Sequence, residues 1–188
     1  MPVEYLKETP SQTAGPYVHI GTLPGQAGLA IRADETLHIL KAEGERIVIE
    51  GLVLDGSGTP VRDAMVELWQ ADAQGRVGVH GLWGRAGADA ASGEFRFETV
   101  LPGQMAWSDG RPQARHVSML IFARGINIHL HTRLYFPDDE AALAADPVLG
   151  RIEQAVRRKT LIAEKLASGH YRLVIRLQGD DETVFFDA

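Results

Sequence analysis

His116 and Ser118 stand two residues apart in the run RHVSMLIFAR, residues 115–124. On a strand, residues at that spacing share a face. Two histidines there would be half of a metal site, but the second position is a serine. Further on, His129 and His131 form an HxH pair. Both imidazoles would face one way from a strand, as metal ligands can. A lone HxH without a third ligand at clear spacing is a weak signal. Two histidines hydrogen-bonded within or beside a sheet explain it more simply. His116 alone reads as a structural histidine with its hydrogen bonds satisfied.

Arg124 carries a different chemistry. It ends an otherwise apolar strand, immediately before Gly125. A guanidinium at the mouth of a sandwich is a fork for a carboxylate. A surface arginine with a local acidic partner fits the residue equally well. Thr13-Ala14-Gly15-Pro16-Tyr17 also stands out. Gly15 permits close backbone approach, Pro16 stiffens the chain, and Tyr17 supplies an aromatic face with a donor. A packed turn anchoring the N-terminal segment is the alternative. Trp69, Trp83 and Trp107 could stack on sugars, although tryptophans in such folds more often serve core or interface.

Composition removes other chemistries. The 188 residues include no cysteine, so disulfides, thiolate metal sites and thiol nucleophiles are excluded. There is no G-x-S-x-G elbow and no glycine-rich phosphate loop. The formal charge of −6, without a long basic run, argues against nucleic acid as a partner. No stretch approaches 18 consecutive apolar residues, so no membrane span is expected. The N-terminus lacks the apolar run of a signal peptide. A cytoplasmic protein is the expectation.

The elements that must position these residues are mostly strands. Residues 1–45 are punctuated by glycine and proline and form an irregular arm. Such a lead wraps its own domain, docks on a partner or lines a site. Residues 36–41 read as a helical turn or a strand. From residue 46 to 188 the texture is that of a β-domain. Strands are expected at 46–55, 64–72, 94–101, 115–124, 129–136, 170–178 and 182–187. Residues 73–88 read as a loop, and Ser92-Gly93 as a hairpin turn. The last two strands read as a hairpin over Gly179-Asp180-Asp181. Residues 137–147 read as a helix opened by proline and acids, with a second helix over 153–165. About seven short strands with a helical excursion indicate an all-β fold, a β-sandwich.

Several blocks in order resemble one family. GLVLDGSGTP (51–60), VELWQADAQG (66–75), Gly84-Arg85, GEFRF (93–97) and TVLPG (99–103) are similar to the core signature of intradiol ring-cleavage dioxygenases. The match runs from about residue 45 to the end. The arm block ETPSQTAGPY (8–17), with FARGIN (122–127) and HLHTRLYF (129–136), resembles the alpha subunits of the family's two-chain members.

The resemblance implies a β-sandwich of the intradiol type and O₂-dependent cleavage of 3,4-dihydroxybenzoate to 3-carboxy-cis,cis-muconate. The family holds Fe(III) with two tyrosinates and two histidines. Here the histidine pair matches His116 and Ser118. One tyrosine is matched by Met105, and the loop before Gly84-Arg85 holds no tyrosine. The resemblance therefore implies that no metal ligand and no catalytic residue lies in this chain. Fe(III) would sit in a beta-type partner subunit of a hetero-oligomer, and the lone chain would be inactive. It further implies substrate-binding roles for Thr13, Gly15, Pro16, Tyr17 and Arg124, and an arm, 1–45, that docks on the partner. Three alternatives remain: a non-catalytic scaffold, an alpha-type subunit for another acidic catechol, and a self-sufficient metalloenzyme built on His129 and His131.

Overall fold

The computed structural model describes residues 12–30 and 36–187. The first part of the arm block, residues 8–11, lies outside the described residues. Eight strands form two four-stranded sheets. The first sheet has the order β4 (Glu94–Val100), β1 (Arg46–Leu54), β8 (His170–Arg176), β7 (Glu164–Ala167). The second has the order β3 (Leu82–Gly87), β2 (Met65–Gln70), β5 (His116–Phe122), β6 (Leu130–Tyr135). All pairings are antiparallel except β1 with β8.

Alternation decides which side chains enter the sandwich. Ile47, Ile49 and Val53 of β1 point inward with Phe95 and Phe97 of β4 and Tyr171, Leu173 and Ile175 of β8. They meet Val66 and Leu68 of β2 and Val117, Met119 and Ile121 of β5. The outward positions of the second sheet, Trp83, Trp69, Ser118 and Arg133, are what the site is built from. The excursion between β6 and β7 covers a smaller cluster around Tyr135, Leu149 and Leu161. Asp146 pins it, accepting from the backbone N–H groups of Ala114, Val148 and Leu149, each at 2.8 Å. The buried acceptor thus satisfies three donors that the irregular turn leaves open.

The structure corrects four expectations. Residues 73–88 are not all loop, because β3 occupies Leu82–Gly87. Two glycines hide it in the sequence; its pairing with β2 defines it. Ser92-Gly93 is a corner rather than a hairpin. The strands on either side belong to different sheets, so the turn carries the chain across the sandwich. Residues 153–165 hold only the four-residue helix α3 (Ala155–Arg158) and a 3₁₀ turn before β7 begins. Residues 182–187 do not form a strand beside β8. Thr183 bonds back to Arg176, and Phe186 then bridges to His131 in the other sheet. The helix after Pro137 is present as α2 (Glu140–Ala145), with the Asp139 carboxylate accepting from Ala142 N at 2.9 Å.

The described part of the arm lies along its own domain. It holds one short helix, α1 (Pro16–Thr22). Residues 36–40 form a turn that ties the two sheet edges together. Arg85 N of β3 donates to Leu37 O, while Leu40 N and Glu98 of β4 exchange bonds with the same segment.

Gly51 sits where β1 meets β8. A Cβ there would fall 2.1 Å from Leu173 O and 2.6 Å from Phe95 Cζ. Gly51→Ala should destabilise the protein by roughly 3 kcal/mol, as measured by denaturant unfolding. A loss below about 1 kcal/mol would mean that β1 can part locally from β4 and β8 without cost.

Candidate active-site wall

Cross-strand register lays one row of side chains across the outer face of the second sheet. Trp83 faces Trp69, Trp69 faces Ser118, and Ser118 faces Arg133. His116 lies two residues before Ser118 on the same face. Met105 and the turn around Val77, Gly78 and Gly81 close over the row. Together they enclose a cavity of about 280 Å³. The positions that the resemblance matched to the family's iron ligands, namely His116, Ser118, Met105 and the loop before Gly84, are thus brought to one place.

The donors there do not fit a ferric ion. His116 is buried, and its Nδ1 donates to Ala114 O at 2.8 Å, leaving Nε2 as an acceptor. Burial, reinforced by the Arg133 charge, pushes its pKa down to about 4. Ser118 offers a neutral hydroxyl and Met105 a soft thioether, where Fe(III) favours hard anionic oxygen. No carboxylate or phenolate lines the cavity, and a guanidinium does. Among the described residues no group of three or more His, Cys, Asp or Glu could hold a metal.

His129 and His131 are not a pair in space with a common target. His129 precedes β6 and packs on Phe122, with ring centroids 5.5 Å apart. His131 packs on Phe186 at 5.7 Å. Its pKa is lowered, by burial first and then by Arg133 and His129.

A second locus forms at the edge where the arm meets the β5–β6 turn. Thr13 Oγ1 accepts from Gly125 N at 2.8 Å and donates to Ala123 O at 3.4 Å. Thr13 also bridges Asn127 through the backbone. Arg124 lies inside that clamp. Its N–H and Nε donate to one oxygen of Asp63, at 3.1 and 2.8 Å. Its Nη groups donate to no partner among the described residues, and its side chain is 75% exposed. Burial acts to raise the Asp63 carboxyl, but the side-chain bond, backbone bond and charge of Arg124 outweigh it and hold the pKa below the usual range. Gly15 and Pro16 open α1, which buries none of its residues, and Tyr17 is 85% exposed. The structure therefore brings Thr13 against the segment that carries Arg124, and Gly15, Pro16 and Tyr17 follow Thr13 in the chain.

Sequence reasoning missed Asp63 and Arg133. Asp63 lies 61 residues from Arg124 and carries no local signal. Arg133 alternates with inward-facing Thr132 and Leu134, a pattern that marks it only as outward.

The model of the dioxygenase family matches residues 20–179. The chain belongs to the intradiol ring-cleavage dioxygenases. Within that family it is 48% identical to the protocatechuate 3,4-dioxygenase alpha chain of Pseudomonas putida, over the full length of both chains. It is 36% identical to the protocatechuate 3,4-dioxygenase beta chain of Burkholderia cepacia, over 74% of this chain and 67% of that one. Among solved structures it superposes on the dioxygenase domain of a dioxygenase–carbohydrate-binding fusion from Streptomyces sp. SirexAA-E. That match has a TM-score of 0.57 at 20% identity and covers 95% of this chain and all of the other. Within this fold the row of side chains on the outer face of the second sheet presents no anionic donor to a ferric ion.

The buried neutral His116 makes stability depend on pH. Between its ordinary value of 6.5 and about 4, the unfolded chain binds a proton that the folded chain refuses. Stability should fall as pH drops through that window, by about 3 kcal/mol at pH 4. Unfolding of the parent and His116→Gln at several pH values checks this: the parent's advantage should shrink toward pH 4. A pH-independent difference would place the imidazole in solvent.

Proposed function

We propose that the chain is the alpha subunit of a protocatechuate 3,4-dioxygenase. Its beta-type partner holds the Fe(III), and this chain forms part of the substrate wall. The observation that carries the reading is the clamp of Thr13 on residues 123–127. It holds Arg124 on an open edge with its Nη groups unspent and anchors the segment that leads to exposed Tyr17.

In the reaction, 3,4-dihydroxybenzoate and O₂ give 3-carboxy-cis,cis-muconate. The bond between the two hydroxylated carbons breaks and both oxygen atoms enter the product. This chain's residues bind and orient. The Arg124 Nη groups hold the substrate carboxylate, a planar fork meeting a planar anion. Asp63 fixes the guanidinium through Nε and leaves that fork free. Gly15 and Pro16 bring backbone close to the ring, and Tyr17 closes the wall. Thr13 acts through the turn it clamps, as a positioning residue. Placement of this kind lowers the entropy cost of reaching a reactive geometry.

The arm, residues 1–45, docks on the partner in this reading. Support comes from α1, whose Tyr17 and Ile20 stay exposed, and from exposed Leu29 beyond it. A cytoplasmic location belongs to the same proposal. Among the described residues no helix is long and apolar enough to cross a membrane.

Steady-state kinetics of the assembled enzyme test the assignment. Arg124→Ala should lower kcat/KM for protocatechuate about 10- to 100-fold with iron content intact. Asp63→Asn should raise KM about two- to fivefold and leave kcat in place, since an exposed ion pair contributes little. Unchanged kinetics in Arg124→Ala would leave a scaffold role instead.

A further inference from the structure

The cavity on the outer face of the second sheet retains the features of a ligand site. Trp69 and Trp83 form two of its walls, with ring centroids 5.9 Å apart and an interplanar angle of 55°. They remain 49% and 36% exposed, which is unusual for indoles packed only for stability. Leu82, Val77 and Met105 complete an apolar lining. Polar groups enter from one side. Gln70 is already spent on Ala71 O, Val100 O and Thr99. That leaves the acceptor Nε2 of neutral His116, the hydroxyl of Ser118 and the guanidinium of Arg133.

Arg133 is the decisive group. Its Nη1 donates to Gln113 Oε1 at 2.9 Å and to the Tyr135 hydroxyl at 3.2 Å, both neutral. No carboxylate pairs with it among the described residues. Its Nε is buried without a partner. The nearest buried carboxylate, Asp146, is committed to three backbone N–H groups. On its other side Arg133 lines a second cavity with Arg151 and Arg157, where Glu153 and Asp187 supply two carboxylates to three guanidinium groups, none of them paired with Arg133. A half-buried guanidinium whose direct hydrogen-bond partners are all neutral is an attractor for an anion.

Size and shape restrict the ligand. Small-molecule pockets begin near about 300 Å³, so 280 Å³ admits one ring and little more. Indole walls select a flat ring, Arg133 a carboxylate, and His116 Nε2 with Ser118 a ring hydroxyl. We propose that this cavity is a binding site, belonging to this chain, for a small single-ring aromatic carboxylate. The assignment stands on the cavity alone and does not depend on which catechol the assembly cleaves.

The probe is 4-bromobenzoate soaked into crystals of the assembled protein, with data collected at the bromine absorption edge. A bromine peak should lie between Trp69, Trp83 and Met105. It should vanish in Ser118→Leu, whose side chain fills the cavity while leaving Arg133 in place. Equilibrium dialysis should show that affinity in solution falls about 10- to 100-fold in Arg133→Gln. The particle size and iron content of the Ser118→Leu assembly, matched to the parent, report correct assembly. Bromine found only elsewhere, a cavity peak unaltered by Ser118→Leu, or occupancy in crystals without binding in solution would each overturn the assignment.

Discussion

One hydroxyl group holds the functional edge together. Thr13 Oγ1 accepts from Gly125 N and donates to Ala123 O, so it joins the arm to the β5–β6 turn from both sides. Arg124 lies between those two contacts. Without the clamp, Arg124 would keep its ion pair with Asp63, but the arm would lose its side-chain tie to residues 123–125. With it, Gly15, Pro16 and Tyr17 follow at a fixed distance along the chain. The tie is also economical in entropy, since one ordered side chain restrains two segments more than 100 residues apart.

Charge explains why the outer face of the second sheet is ill suited to a ferric ion. Fe(III) requires anionic donors, and the outer face of the second sheet presents none. It carries instead a guanidinium, a neutral imidazole driven down by burial, a hydroxyl and two indoles. A cation at Arg133 makes return of a metal to that face unfavourable, because like charges repel strongly where water is scarce.

The sequence made much of this visible, and its failures have physical causes. β1, β5 and β8 were legible because an apolar residue recurs at every second position. β3 was not, because LWGRAG has two glycines and no clean alternation; its identity comes from pairing with β2 and from the Arg85–Glu67 ion pair across them. β7 reads EKLA, a helix-favouring string that its pairing with β8 overrides. Residues 182–187 look like a strand but find their bond partner in the opposite sheet. Arg124 stood out through its place at a strand end. Asp63 and Arg133 did not, since a partner 61 residues away and a neighbour across a strand are facts of register, not of spacing.

The central claim is that this chain lines a site whose iron another chain holds. Anomalous diffraction at the iron edge, from crystals of the assembled enzyme, tests it most directly. The account predicts one iron per alpha–beta pair, ligated wholly by the partner, with Arg124 and Tyr17 of this chain facing it. Iron in the cavity beside His116 and Ser118, or ligated by His129 or His131, would contradict it.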